Sequence, residues 1–331
     1  MKRAIFITAF VWFACLPAMA TNDPTMQQTL LSAMQSGDIT ADQPSSFQLD
    51  IDFVIDSSAP TPGHLTLKWA AKDRWWREVT VGDFRQTEVR NGPWRYIARN
   101  LSFTPIRIGN LFDLLGFDQI TEEWVATKER HRVDHGIEVN CIQAKSAISS
   151  GQSARLPTIS HELCISSASN DIVSDESQQG LELRVKKYDD YGSFLAHRYP
   201  HRSRLLINGR TVITAQVASL KEVSFDKSQF TPPPGAIDRR DCDGIRPPSA
   251  IKTPAVSFPS SARAIGGGDI AVAMTVLSDG TVSDIRLMGS SGIPLDAATI
   301  KTLKSYRFKP AMCGTEPVTF DVTIDLSFTL R

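Results

Sequence analysis

Between residues 230 and 262 the chain reads FTPPPGAIDRRDCDGIRPPSAIKTPAVSFPSSA, and the seven prolines in that span limit what the whole can fold into. Proline fixes φ and lacks an N–H, so continuous helix and central strand are both excluded there. The stretch reads as an extended linker over 231–257, dividing a larger N-terminal region from a C-terminal block of roughly 70 residues.

The start of the chain reads as an export signal. Lys2 and Arg3 precede an apolar run from Ala4 to Leu16, Pro17 breaks it, and Ala18-Met19-Ala20 supplies small residues for cleavage before Thr21. The run is shorter than the ~20 residues a spanning helix needs, so an inner-membrane anchor is the alternative. A lipoprotein reading through Cys15 is weaker, because Trp12 and Phe13 are bulky. Removing Lys2 and Arg3 from the 36 basic residues leaves 34 against 36 acidic ones. That balance argues against nucleic acid or a polybasic membrane contact as partner. The remaining length, about 310 residues, is large for one core and suggests two domains.

Residues 21–46 read as a short helix and a mobile leader, and 47–230 as antiparallel β. FQLDIDFVID alternates apolar and polar residues as a half-buried strand does. Three or four strands follow in GHLTLKWAAKDRWWREVTVGDFRQTEVRNGPWRYIAR, with Asn91-Gly92 as a hairpin signal. Alternation continues through HGIEVNCIQAK, HELCISS and two longer runs, the last with Asn208-Gly209 as a second hairpin. The interior helix candidate is RIGNLFDLLGF, where Ile108, Leu111, Leu114 and Leu115 recur at helical spacing.

Four cysteines remain after cleavage, Cys141, Cys164, Cys242 and Cys313, and four allow three pairings. Export makes disulfides the expectation. Cys141 and Cys164 lie in successive strand-like runs and can face each other if those runs pair; the alternative is two buried thiols. None of the four has the close spacing that zinc sites use, so no metal is expected.

GHLTLKWAAKDRWWREVTVGDFRQ and the closing FDKSQFTPPPGA resemble the LolA/LolB-like lipoprotein-carrier family of the periplasm. The matching residues are Gly63, Leu65, Leu67, Trp76, Arg77, Glu78, Phe230 and Pro232. The resemblance implies a curved half-barrel sheet around an apolar cavity for an acyl chain, lined near Trp75, Trp76 and Leu111–Leu115.

From Ile270 the pattern is β-β-α-β. IAVAMTVL and VSDIRLMG flank the turn Ser278-Asp279-Gly280, although Val282, Ile285 and Leu287 alternate imperfectly. A helix is expected from about Leu295 to Ser305, with Ala298, Ile300 and Leu303 near one face. On the last strand Phe320, Val322, Ile324, Leu326 and Phe328 share a face, and Asp321, Thr323, Asp325 and Ser327 the other. The fold class is therefore α+β, a mostly antiparallel β domain followed by a small β-β-α-β domain.

Residues 258–330 resemble the C-terminal domain of TonB, the energy transducer of Gram-negative bacteria. The motifs are Asp279-Gly280, Val282, Ser290-Ser291-Gly292, Leu295-Asp296, Ala297-Ala298 and Tyr306-Arg307-Phe308-Lys309-Pro310. FPSSAR, residues 258–263, has Phe258 where the family uses Tyr. Tyr306, Arg307, Phe308 and Pro310 then read as a structural seam between helix and last strand. Pairing Cys242 with Cys313 would tie the linker to this domain. The resemblance implies strand addition of a peptide from an outer-membrane transporter, or another envelope protein, along about Val318–Leu330, with Thr323, Asp325 and Ser327 to watch. A cleaved leader and a short linker depart from an energy transducer.

Catalytic signals are thin. His131/His135 and His197/His201 are four apart, but strand-and-loop surroundings do not bring such pairs together. No HExxH, G-x-S-x-G or phosphate-binding glycine loop is present, and Gly266-Gly267-Gly268 reads as a flexible entry to a strand. The expectation is an exported, periplasmic, non-enzymatic protein without a cofactor that binds a protein partner. A lipid or lipoprotein carrier is the alternative, and an anchored energy transducer follows if the leader is retained.

Overall fold

The computed structural model describes residues 24–40, 45–101, 103–116, 123–134, 136–147, 160–179, 182–242, 244–257, 259–261, 267–287 and 293–329. The leader and its cleavage site, Cys15, His135, Phe258 and Ser290-Ser291-Gly292 lie outside them.

Helix α1 (Pro24–Gly37) precedes β1 (Phe47–Ile55), β2 (Thr61–Ala71), β3 (Arg74–Val81), β4 (Phe84–Asn91) and β5 (Trp94–Arg99). After α2 (Ile106–Leu114) come β6 (Glu123–Asp134), β7 (Ile137–Ala147), β8 (Ser160–Ser166), β9 (Ile172–Gln179), β10 (Glu182–Phe194), β11 (His197–Ile207) and β12 (Arg210–Glu222). With β13 (Ile237–Arg240) they form one open, curved, antiparallel sheet in the order β13-β5-β4-β3-β2-β1-β12-β11-β10-β9-β8-β7-β6. The hairpin signals translate directly into turns: Asn208 and Gly209 both have positive φ, as a two-residue turn between twisted strands requires.

Helix α2 lies in the concavity, and Ile108, Leu111, Phe112 and Leu114 join Phe47, Leu49, Ile51, Leu65 and Val79 in the main core. Leu111 and Leu114, expected to line an acyl-chain cavity, are instead fully packed. That corrects the lining: the helix itself occupies the apolar part of the concave face. Helix α1 is docked as well, burying Met26, Leu30 and Ala33 against Ala126, Ile142 and Ile165. Its Gln27 side-chain oxygen accepts from the Ala126 N–H at 2.8 Å.

Strands β7 and β8 pair with Cys141 directly opposite Cys164, and the two form a disulfide. Both sulfurs therefore belong to a covalent cross-strand link, and their proximity to Glu162 is not a metal site.

The proline-rich segment is extended but not free. Its β13 adds to the edge of the large sheet, with Ile237 opposite Ile97 and Arg240 opposite Trp94. Further on, β14 (Ser249–Lys252) pairs with β17 (Arg307–Lys309), and Arg246 exchanges two 2.9 Å backbone hydrogen bonds with Met312. Prolines flank these short strands rather than interrupt them.

The C-terminal module contains β15 (Gly267–Val276), β16 (Val282–Leu287), α3 (Ile293–Leu303), β18 (Ala311–Cys313), β19 (Glu316–Val318) and β20 (Phe320–Thr329). Its main sheet runs β16-β15-β20, and α3 buries Leu295 and Leu303 against Val272 and Met274. Gly267 and Gly268 are paired strand residues rather than a flexible entry. The helix spans Ile293–Leu303, starting and stopping two residues earlier than Leu295–Ser305. Imperfect alternation on β16 has a local cause. The β15–β16 register shifts between Ala273 and Thr275, and Asp284 sits at φ 50°. This bulge turns Ile285 and Leu287 back toward the core and leaves Asp284 and Arg286 on the opposite face.

Gly280, at φ 81°, accepts a 2.9 Å hydrogen bond from the Phe308 N–H. A Cβ there would stand 2.0 Å from the Phe308 carbonyl oxygen. Gly280→Ala is therefore expected to destabilise the protein by about 2–4 kcal/mol, from the left-handed backbone plus the overlap. Urea denaturation of variant and parent measures it; a loss under 1 kcal/mol would show that the turn relaxes away from Phe308.

Candidate functional site

Two features of this architecture can meet a ligand: a cleft between the modules and the outer edge of β20. The cleft begins on the large sheet, where residues directly opposite on neighbouring strands share a face. One row runs Phe47, Trp69, Trp75, Arg90, Arg95 and Arg239 across β1 to β5 and β13. The next runs Leu49, Leu67, Arg77, Glu88, Ile97 and Ile237, and a third Ile51, Leu65, Val79, Gln86 and Arg99. The concave face is thus apolar toward β1 and β2 and acquires its charged and amide side chains toward the β13 edge. Helix α2 covers the apolar end.

Arg77 and Glu88 stand at the changeover, their side chains only 3% and 5% exposed. Arg77 Nη2 donates to Glu88 Oε2 at 2.8 Å, and Gln86 Nε2 donates to Oε1 at 2.5 Å. The guanidinium also lies 3.6 Å from the centre of the Phe112 ring, a cation–π contact. Burial penalises the Glu88 charge, but Arg77 and Arg95, with hydrogen bonds from Arg77 and Gln86, hold its carboxyl below the ordinary value.

The C-terminal sheet closes the other side with the face opposite α3. Arg99 pairs with Asp284 across the modules. Arg239 Nε and Nη2 reach Asp321 at 3.1 and 2.8 Å, and Thr275 Oγ1 donates to the same carboxylate at 2.7 Å. Arg286 Nη1 donates to the Thr104 carbonyl at 3.5 Å and lies over the Phe103 ring. Burial raises the Asp284 carboxyl above its ordinary value, against the opposing charge of Arg99. Between these walls is a cavity of about 500 Å³, with Ile97, Phe103, Pro105, Ile106 and Ala273 as apolar lining.

The second feature is simpler. Strand β20 pairs with β15 along its length, from Phe320 opposite Val276 to Thr329 opposite Gly267. Among the described residues its other edge meets no strand. Thr323 is exposed on it. The side chains of Asp325 and Ser327 lie outside the described set; their backbones pair with Ala271 and Asp269. Asp321, at the start of the same polar face, is exposed and paired with Arg239 of the linker segment.

Tyr306 and Phe308 pack in the C-terminal core, and Phe308 pairs with Ala250 as part of β17. Arg307 Nη1 donates to the backbone carbonyls of Lys304 and Tyr306, and Pro310 is half-buried. His135 lies outside the described residues; among the others, His131 Nδ1 lies 2.6 Å from Asn140 Oδ1, His197 Nδ1 lies 3.3 Å from the Gln35 carbonyl, and His201 abuts Gly192. Sequence reasoning missed the cleft. Its trace is WRYIAR, where Arg95, Ile97 and Arg99 alternate on what becomes the inner face.

Residues 254–330, which hold the small module, match the family model described as Gram-negative bacterial TonB protein C-terminal. No curated protein matches the chain at a significant level. Among solved structures, a domain described as outer-membrane lipoprotein-sorting from Vibrio parahaemolyticus is similar at 8% identity and a TM-score of 0.40, covering 62% of this chain and 95% of that one. A LolA superfamily protein from Nitrosomonas europaea is similar at 13% identity and a TM-score of 0.41, covering 62% and 97%. A DUF1329 family protein from Desulfovibrio piger shows 10% identity and a TM-score of 0.40, covering 62% and 98%. Among the described residues, no helix is long and apolar enough to cross a membrane.

Proposed function

We propose that this chain is a non-enzymatic protein of the cell envelope whose TonB-type module captures an extended segment of a partner protein by strand addition along β20. The observation that carries this is the ten-residue strand whose outer side is unpaired among the described residues. An unpaired edge offers a row of N–H and C=O groups to an incoming strand. Folded proteins commonly blunt such edges with proline or lysine, and Phe320–Thr329 has neither. The incoming backbone supplies affinity, and alternate side chains such as Thr323 supply selectivity. The resemblance to TonB supplies the partner class, the periplasm-facing peptide of an outer-membrane transporter.

Amide hydrogen exchange tests this, using a synthetic ten-residue peptide copied from such a transporter. Outer-edge amides of β20 exchange freely without peptide and are expected to slow at least tenfold at saturation, with β16 unaffected. Protection confined to β16, or none at millimolar peptide, would sink the reading.

A further inference from the structure

The geometry points to a second site, independent of the β20 edge: the cleft between the modules binds a phosphate-type oxyanion, with Arg95 as its main contact. Five guanidiniums and three carboxylates line this space, which leaves two positive charges uncompensated in about 500 Å³. A phosphate monoester carries about two negative charges at neutral pH and offers oxygens that match a guanidinium fork.

The register explains why Arg95 is the contact. It stands directly opposite Arg90 on one side and Arg239 on the other, and like charges directly opposite across strands repel. The neighbours are each held by a carboxylate: Arg90 lies 2.5 Å from Asp241, and Arg239 lies 2.8 Å from Asp321. Arg95 has no hydrogen bond or ion pair among the described residues, and the nearby Glu88 is already engaged by Arg77 and Gln86. A second, independent observation points to the same place. Arg239 Nη1 is buried without a hydrogen-bond acceptor, while the Nε and Nη2 of the same group bind Asp321. A donor in that state costs stability until an acceptor reaches it. An oxyanion between Arg95 and Arg239 relieves the repulsion and supplies the acceptor, and Arg286 reaches the same space from the C-terminal sheet. Such an ion bridges the two modules.

The ion could be free, or the headgroup of an amphiphile. Phe103 and Ile106 line the cleft while remaining 36% and 61% exposed, so apolar surface adjoins the charge. Titration calorimetry on the intact, disulfide-bonded protein at constant ionic strength separates the sources, with inorganic phosphate in one arm and dihexanoyl phosphatidic acid in the other. Saturable binding of phosphate is expected, weakened at least tenfold by Arg95→Gln and by Arg286→Gln. Dihexanoyl phosphatidic acid binding at least tenfold tighter than phosphate identifies a headgroup; equal affinity identifies the free ion. Arg95→Gln removes both the repulsion from Arg90 and Arg239 and the support Arg95 gives the Glu88 charge, so its unliganded melting temperature is expected to stay close to the parent's, which separates lost binding from lost folding. Absence of saturable binding in both arms, or equal affinity in parent and Arg95→Gln, overturns the assignment. Neither result bears on peptide capture at β20.

Discussion

Replacing Arg77 by methionine is expected to cost about 3–5 kcal/mol of stability at neutral pH, because Glu88 keeps its charge in a buried place after losing its principal counter-ion. Both side chains are almost wholly removed from water, and the pair is joined at 2.8 Å with Gln86 completing the carboxylate. Methionine refills much of the volume over Phe112 but supplies no charge. The double variant Arg77→Met/Glu88→Leu is expected to recover most of the loss, since desolvating two charges is itself expensive. Acid sharpens the test. In the parent, the Glu88 carboxyl is held below its ordinary value near 4.5, so its stabilising effect is complete above that pH. It is lost as pH falls through the depressed folded value. In Arg77→Met the main lowering charge is gone and burial dominates, so the variant recovers part of its stability on mild acidification. Guanidinium unfolding at pH 7 and pH 5 reads both effects. A single variant that loses under 1 kcal/mol, or a double variant no better than the single, would show that Arg77 is dispensable to this core.

Removing the Cys242–Cys313 bridge, by reduction or by serine at both positions, is expected to lower stability by roughly 4 kcal/mol in the chain-entropy account of a 71-residue separation. The Cys141–Cys164 bridge closes 23 residues and is expected to contribute roughly 3 kcal/mol on the same account. The consequences differ in kind. Cys141 and Cys164 link strands already paired in one sheet, whereas Cys242 follows β13 of the large sheet and Cys313 ends β18 of the small module. Loss of the second bridge leaves the modules joined by short strand pairings, Arg99–Asp284, Arg239–Asp321 and Arg240–Glu316. Those ion pairs are exposed to salt in proportion to their exposure. The serine variant is therefore expected to show proteolytic cleavage within 243–257 that the parent resists, increasing with ionic strength. Unfolding that costs the same for both bridges, with no new cleavage, would mean that the modules hold together without the clamp.

Much of the fold was legible because the relevant signals are local. Alternation along FQLDIDFVID, the Asn208-Gly209 turn and the helical spacing of Ile108, Leu111 and Leu114 are consequences of backbone geometry within a few residues. The pairing of Cys141 with Cys164 was legible for a related reason, since the two sat in successive strand-like runs. What escaped notice depends on register between strands. WRYIAR looked like an ordinary alternating run, and only the pairings of β4, β5 and β13 set Arg90, Arg95 and Arg239 in one row. The acyl-chain lining failed for the same reason: hydrophobic residues on a helix state that a face must be buried, not whether a ligand or the sheet buries it.

The linear sequence by itself determined the β-rich region, the β-β-α-β module with its TonB motifs, and the proline-rich join, because periodicity and the conformational limits of proline and glycine act on neighbouring residues. Tertiary structure alone decided that the join is stitched into both modules, that Asp284 faces an arginine instead of water while the exposed Asp321 is paired with Arg239, and that a charged cleft lies between two sheets. Those outcomes depend on which surfaces meet, and the free energy of burying a charge depends on what lies across from it.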